Sequence, residues 1–196
     1  VFESSECSKT TFTPAQFLIL TVHTMKKIVI AGGSGFLGTT LARHYAKKVG
    51  SIIILTRGPS RVKGNVRYVQ WDGRTSGSWI GELEDADALI NLNGKSVDCR
   101  YTERNKALIF STRLDATRAL GNAILSCAKP PELWINASSA TIYRHALDRE
   151  MDELSGEAGR GFSVNVCQQW EAAFNSFQTL RTRKIILRSA IVLGRR

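Results

Sequence analysis

The sequence predicts a doubly wound α/β protein, a parallel sheet with helices packed on both faces. Three observations carry this. Short apolar runs alternate with amphipathic stretches of helical period from Lys26 onward. The first run, Ile28 to Ala31, is continuously apolar and rich in β-branched residues, as a strand covered on both faces requires. It leads directly into Gly32-Gly33-Ser34-Gly35-Phe36-Leu37-Gly38. Right-handed crossovers place the helices on both faces, and 3-2-1-4-5-6 is the expected strand order.

The glycine segment is where the first strand turns into the first helix. Glycines let the backbone turn tightly and approach a ligand closely, where a Cβ would clash. A helix opening near Ser34 points free N–H groups and the positive end of its dipole at that gap, which suits a pyrophosphate. Gly33, Gly35 and Gly38 fit G-x-G-x-x-G, and Gly32, Gly35 and Gly38 fit G-x-x-G-x-x-G. Such a turn can also serve tight packing alone. The strand before it and the helix after it favour a nucleotide.

The remaining elements follow in turn. Leu37, Leu41, Tyr45 and Val49 recur every four residues as one helix face, ended by Lys47, Lys48 and Gly50. Ser51 to Thr56, Val66 to Trp71, Ala86 to Leu92 and Leu133 to Ala137 read as the second to fifth strands. A long helix, Thr102 to Ala128, carries Phe110, Leu114, Thr117, Gly121 and Ile124 at helical spacing, and Pro130-Pro131 stops it. A last helix spans Ser163 to Leu180 with Val166, Trp170, Ala173, Phe174 and Phe177 inward, before a sixth strand from Lys184 to Ala190.

Composition sets outer bounds. The chain has 196 residues, 43% hydrophobic and 22% charged, which fits one globular domain. Cys7, Cys99, Cys127 and Cys167 lack metal-ligand or C-x-x-C spacing and read as reduced thiols of a cytoplasmic protein; no metal site is expected. No apolar run reaches the roughly 18 residues of a membrane span. The net charge of +10 is spread among acids and apolar positions, without a basic arm, so an anionic small molecule is favoured over nucleic acid. Residues 1–24 fall outside the alternating pattern and read as a disordered or non-native extension, with the domain spanning 25–196.

The end of the second strand selects the cofactor. NAD sites place an acid there for the ribose 2′-OH. This chain instead has Thr56-Arg57-Gly58, and its one acid between Gly38 and Glu82 is Asp72, at the third strand. A guanidinium pairs with a 2′-phosphate where a carboxylate would repel it, so NADP is favoured over NAD. Arg57 as a solvated loop residue is the plainer alternative.

Further motifs carry a resemblance. Together with the glycine segment, Trp71-Asp72-Gly73, Asp87 to Gly94 and Ser138-Ser139-Ala140-Thr141-Ile142-Tyr143 resemble an extended short-chain dehydrogenase/reductase. Arg100-Tyr101, Lys106, Ser111-Thr112-Arg113, Met151-Asp152-Glu153, Gly161-Phe162-Ser163 and Cys167-Gln168-Gln169-Trp170-Glu171 are similar to one atypical branch, the epimerase family proteins or nucleoside-diphosphate-sugar epimerases. The resemblance implies a Rossmann-type fold and hydride transfer with a nicotinamide. It implies cofactor contacts from Gly32 to Gly38 and from Arg57, Asp72, Asn93 and Gly94. It places the substrate-orienting serine at Ser139, with Ser138 the lesser candidate and Tyr143 a proton donor or a pocket wall. The superfamily's Tyr and Lys pair would fall at Ser163 and Cys167, and neither residue type is there. Lys95 is a candidate replacement cation or a solvated lysine, Cys167 a buried thiol, and His145 an exposed residue beside the serine loop.

Relatives continue after the sixth strand into a substrate domain, so that half is expected to be largely missing, as in a fragment. The expected function is an NADP-dependent oxidoreductase or epimerase acting on a small molecule, with a sugar nucleotide as one candidate substrate. The alternatives are a non-catalytic NADP-binding protein and an inactive truncated form. The long helix is a candidate homodimer face, since such helices serve so in extended relatives.

Overall fold

The computed structural model describes residues 25–194. The expectation for residues 1–24 lies outside them. Seven strands form one sheet: β1 (Lys27–Ala31), β2 (Ser51–Thr56), β3 (Arg61–Lys63), β4 (Val66–Gln70), β5 (Ala88–Asn91), β6 (Leu133–Ser139) and β7 (Arg183–Ser189). Their order is β3-β4-β2-β1-β5-β6-β7, parallel throughout except for β3, which pairs antiparallel to β4. Without β3, this is the expected doubly wound Rossmann-type order. The chain reverses its direction of travel across the sheet between β1 and β5, the place where open α/β sheets bind ligands.

Three helices cover the sheet: α1 (Phe36–Tyr45), α2 (Glu103–Ser126) and α3 (Phe162–Asn175). Val29, Ile53, Leu89 and Trp134 face α2 and α3, and Trp134 meets Phe174 edge-on at 4.4 Å. Ile28, Ile30, Ile52 and Ile54 face the opposite way, with Ala42 of α1. Each such fully buried aliphatic side chain contributes about 1.5–3 kcal/mol. Beyond the reach of α1, Leu187 on that second face is 56% exposed.

Several boundaries differ from expectation. β3 forms where no element was expected, and all three of its residues are exposed. The fourth expected strand is trimmed at its start because Asp85 has φ +55° and Ala86 N–H donates to the Leu83 carbonyl in a turn. The first helix ends at Tyr45, and Leu37 is exposed while Gly38 and Ala42 are its buried residues. The last helix stops at Asn175 rather than Leu180. The Lys184 ammonium reaches the Phe174, Asn175 and Phe177 carbonyls, satisfying acceptors at the negative end of the helix. Phe177 still packs inward, against Gly121 and Trp134. The long helix starts as expected, with Thr102 Oγ1 accepting from the Asn105 N–H.

Candidate functional site

The site begins at the turn from β1 into α1. Gly32 has φ +75°, and a Cβ there would lie 2.9 Å from the Asn93 backbone nitrogen. The turn after β1 and the loop after β5 are therefore in backbone contact. A Cβ on Gly38 would strike the Gly33 backbone, so α1 seats against the turn only with glycine at that position. Gly35 is different: a Cβ there would meet nothing nearer than the Gly32 carbonyl at 3.9 Å. Open space therefore fronts the start of α1, where the first-turn N–H groups have no intrahelical acceptor. That is a cradle for an anionic group.

On the β2 side of this turn lies a cavity of about 520 Å³ lined by Thr56, Arg57, Asp72, Asn93, Gly94 and Lys95, among others. Thr56 Oγ1 donates to Ser34 Oγ at 3.1 Å, tying the end of β2 to the glycine turn. Arg57 is exposed at the rim. Among the described residues no carboxylate pairs with it. Asp72 accepts from the Arg74 and Thr75 N–H groups and from Thr75 Oγ1 at 2.8–2.9 Å. These bonds, led by the Thr75 N–H, hold its carboxyl below the usual range. It builds the wall of the cavity rather than opposing Arg57.

Beneath the crossing point sits a buried polar cluster. Asn91 Nδ2 donates to Asn136 Oδ1 at 2.6 Å and to Thr117 Oγ1 at 3.2 Å. The Trp170 indole N–H donates to the same Thr117 oxygen at 2.9 Å. Asn91 Oδ1 in turn accepts from Asn93 N and Nδ2 at 3.1 and 3.0 Å. Asn91, Thr117 and Asn136 are fully buried. One set of bonds thus joins β5, β6, α2, α3 and the loop that touches the glycine turn.

At the carboxyl end of β6, the two serines point to opposite faces. Ser138 is buried and its Oγ donates to Glu171 Oε1 at 2.5 Å. Ser139 is half-buried, and its Oγ lies 2.7 Å from Thr141 Oγ1 at the crevice edge. A single turn, Ala140–Ile142, then delivers Tyr143. Arg188 of β7 donates to the Tyr143 hydroxyl at 2.8 Å and grips Glu171 with Nε at 2.9 Å and Nη2 at 2.7 Å. Burial opposes the charge on Glu171, but Arg188 and Ser138 outweigh it and hold the carboxyl below its usual range. Arg188 is held charged, chiefly by Glu171.

Ser163 and Cys167 bring no cation to α3. Burial, reinforced by Glu171, pushes the Cys167 thiol up, so it is a neutral buried group. His145 is exposed. Lys95 lies on the β2-side cavity with Arg57. Arg188 went unread in the sequence, and Arg113 of α2, noted only within Ser111-Thr112-Arg113, has its guanidinium 5.2 Å from the Trp170 ring. Among the described residues no cluster of His, Cys, Asp or Glu could hold a metal ion, and no helix is long and apolar enough to cross a membrane.

Comparison with known proteins places these features in context. Residues 28–161 match the model of the NAD dependent epimerase/dehydratase family. An epimerase family protein of Staphylococcus saprophyticus is 34% identical over 171 residues, covering 87% of this chain and 56% of the relative. The crystal structure of the human epimerase family protein SDR39U1 (isoform 2) with NADPH superposes with a TM-score of 0.73 at 29% identity, covering 86% of this chain and 55% of that one. A structure of MoeE5 with UDP-glucose and NAD shares the fold at 19% identity and a TM-score of 0.68, over 83% and 53% of the two chains. The chain thus spans about half the length of these relatives.

Proposed function

The chain belongs to the NAD dependent epimerase/dehydratase family, and from that premise we propose that it is an NADP-dependent oxidoreductase or epimerase acting on a small molecule. Arg57 carries the reading: it sits at the end of β2, beside the glycine turn, with no carboxylate partner among the described residues. A guanidinium so placed suits a 2′-phosphate. The human relative solved with NADPH supports the same choice.

The residues fit such a cofactor. The open space before Gly35 and the free N–H groups of α1 would take its pyrophosphate. Phe36, Leu37 and Gly38 supply that first turn, and Gly32, Gly33 and Ser34 shape its approach. Asp72 and the Asn93–Gly94 backbone would wall the path across the crevice. Bound there, the nicotinamide supplies or takes up a hydride at a carbonyl or carbinol carbon.

Ser139 would donate a hydrogen bond to the substrate oxygen from the carboxyl end of β6. Tyr143 is the proton donor we assign. Its hydroxyl accepts from Arg188, so its own hydrogen is directed elsewhere. A second reading, an NADP-binding protein without turnover, draws support from the neutral thiol of Cys167, at the position where the superfamily resemblance implies a lysine. The experiment is to mix the protein with NADPH and a panel of carbonyl compounds and sugar nucleotides while following cofactor absorbance and fluorescence. Binding with oxidation supports the enzyme, binding without oxidation the second reading, and no binding refutes both.

A further inference from the structure

After Tyr143 the chain loops out and returns beside itself. Arg144 N–H donates to the Glu157 carbonyl and Gly159 N–H to the Ile142 carbonyl, both at 2.9 Å, so residues 142–144 and 157–159 lie side by side. Gly156 is seated against the Tyr143 ring, which a Cβ there would strike. Gly161 then turns the chain into α3 with φ +107°, a conformation that favours glycine. Arg160 and Phe162, on either side of that turn, are thereby brought up to Tyr143 and His145.

The result is a cavity of about 390 Å³, lined by Thr141, Tyr143, His145, Arg160, Phe162 and Ser163, among others. That size falls within the roughly 300–1,000 Å³ of small-ligand pockets. Its charge is one-sided: Arg144 and Arg160 line it and no carboxylate does. The Arg144 guanidinium is spent, since Asp148 and Glu157 hold it. Arg149 nearby is likewise held by Glu157. Arg160 and the His145 ring have no ion-pair or hydrogen-bond partner among the described residues. A larger cavity of about 890 Å³ shares Thr141, Tyr143, Arg144 and His145 with this one, but there Asp148 and Glu150 offset the arginines. A cleft lined by one sign of charge concentrates its field and draws the opposite charge. An anion beside Tyr143 therefore belongs in the smaller cavity.

We propose that this smaller cavity binds a carboxylate or phosphate group of the substrate, with Arg160 as the residue that recognises it. This rests on the reading of Tyr143 above as the group that meets the substrate oxygen. The substrate is then a carbonyl or carbinol compound bearing an anion close to its reacting carbon, with its uncharged part extending into the larger cavity. Ser163, at the position where the resemblance implies a tyrosine, is small enough to leave the space open.

The probes are inorganic phosphate and succinate, each applied with and without saturating NADPH, which fills the cofactor's own phosphate sites. Site-resolved phenylglyoxal modification reads Arg160, with Arg149 as the reference outside the smaller cavity. Relative to chloride at equal ionic strength, at least one probe should slow modification of Arg160 and leave Arg149 unchanged; the one that shields names the anion. Arg160→Gln should weaken binding of that probe, measured by calorimetry, about tenfold to a hundredfold, and Arg160→Lys should recover part of the loss. Arg160 is exposed, so both variants are expected to keep the fold. Among carbonyl compounds that oxidise NADPH, the carboxylate or phosphate ester should outrun its uncharged analogue, and Arg160→Gln should level the two. Shielding by neither probe, equal shielding of Arg160 and Arg149, unchanged affinity in Arg160→Gln, or an uncharged analogue used as well as the anion would overturn the proposal. Failure to bind NADPH would instead overturn the cofactor reading, and shielding without NADPH would still decide the cavity.

Discussion

Glu171→Gln isolates the contribution of the ion pair behind Ser139. The substitution keeps the side-chain shape and one acceptor for Ser138, but removes the charge that Arg188 grips at 2.7 and 2.9 Å. Glu171 is 7% exposed and the Arg188 side chain 28% exposed. Breaking a fully buried pair from one side costs about 3–5 kcal/mol, and the partial exposure of Arg188 brings the expected loss to about 2–3 kcal/mol. The pH dependence fixes the cause. Because the folded-state pKa of Glu171 lies below its ordinary 4.5, its contribution is fully present above that value and disappears as pH falls through the folded-state pKa. Urea denaturation of both proteins, above pH 4.5 and then in steps below it, should show a gap in stability that closes with acid. A Gln variant that matches the parent near neutrality, or a gap that persists in acid, would refute the assignment.

Three further outcomes are expected. Arg57→Ala should cut the preference for NADPH over NADH by roughly tenfold to a hundredfold, measured by fluorescence titration; equal affinities in the unmutated protein would remove the role of Arg57. Gly35→Val should lose NADPH binding with the melting temperature nearly intact, because Gly35 has extended backbone (φ −80°) and faces open space. Gly38→Ala, whose Cβ would strike the Gly33 backbone, should instead melt earlier, by the ~1–3 kcal/mol of an overpacked site. If turnover is found, Ser139→Ala should lower kcat/KM by ~10²–10⁴ and Cys167→Ala far less; the reverse order would move the reacting centre onto α3.

The fold was legible because its signals are local. A β-branched run before a glycine turn, and one face of a long helix ended by two prolines, are decided by neighbours in sequence. The exposed strand β3 was not legible, since Arg61, Val62 and Lys63 bury neither face and three residues are too few to set a period. The glycine turn and Arg57 were readable for the same local reason: a close backbone approach and a missing acid can be located by position alone. Arg188 and Tyr143 stand 45 residues apart and Arg188 and Glu171 stand 17 apart. Nothing in their local patterns marks them as partners; adjacent strands and a crossing helix bring them together. Arg113 stands in the Ser111-Thr112-Arg113 motif, but its packing against Trp170 and its bond to the Lys95 carbonyl join segments far apart in sequence.

The polar cluster of Asn91, Thr117, Asn136 and Trp170 has a consequence for how this lineage can change. Each member satisfies another, so replacing one leaves a buried donor or acceptor unsatisfied, at about 1–3 kcal/mol. A wholly apolar substitute at the same volume could be nearly neutral, but it is reached only through several costly intermediates at once. The positions are therefore expected to be epistatic: the double substitution Asn91→Leu with Asn136→Leu should cost less than the sum of its singles. The hydrogen-bonded floor of the crevice therefore changes only in concert.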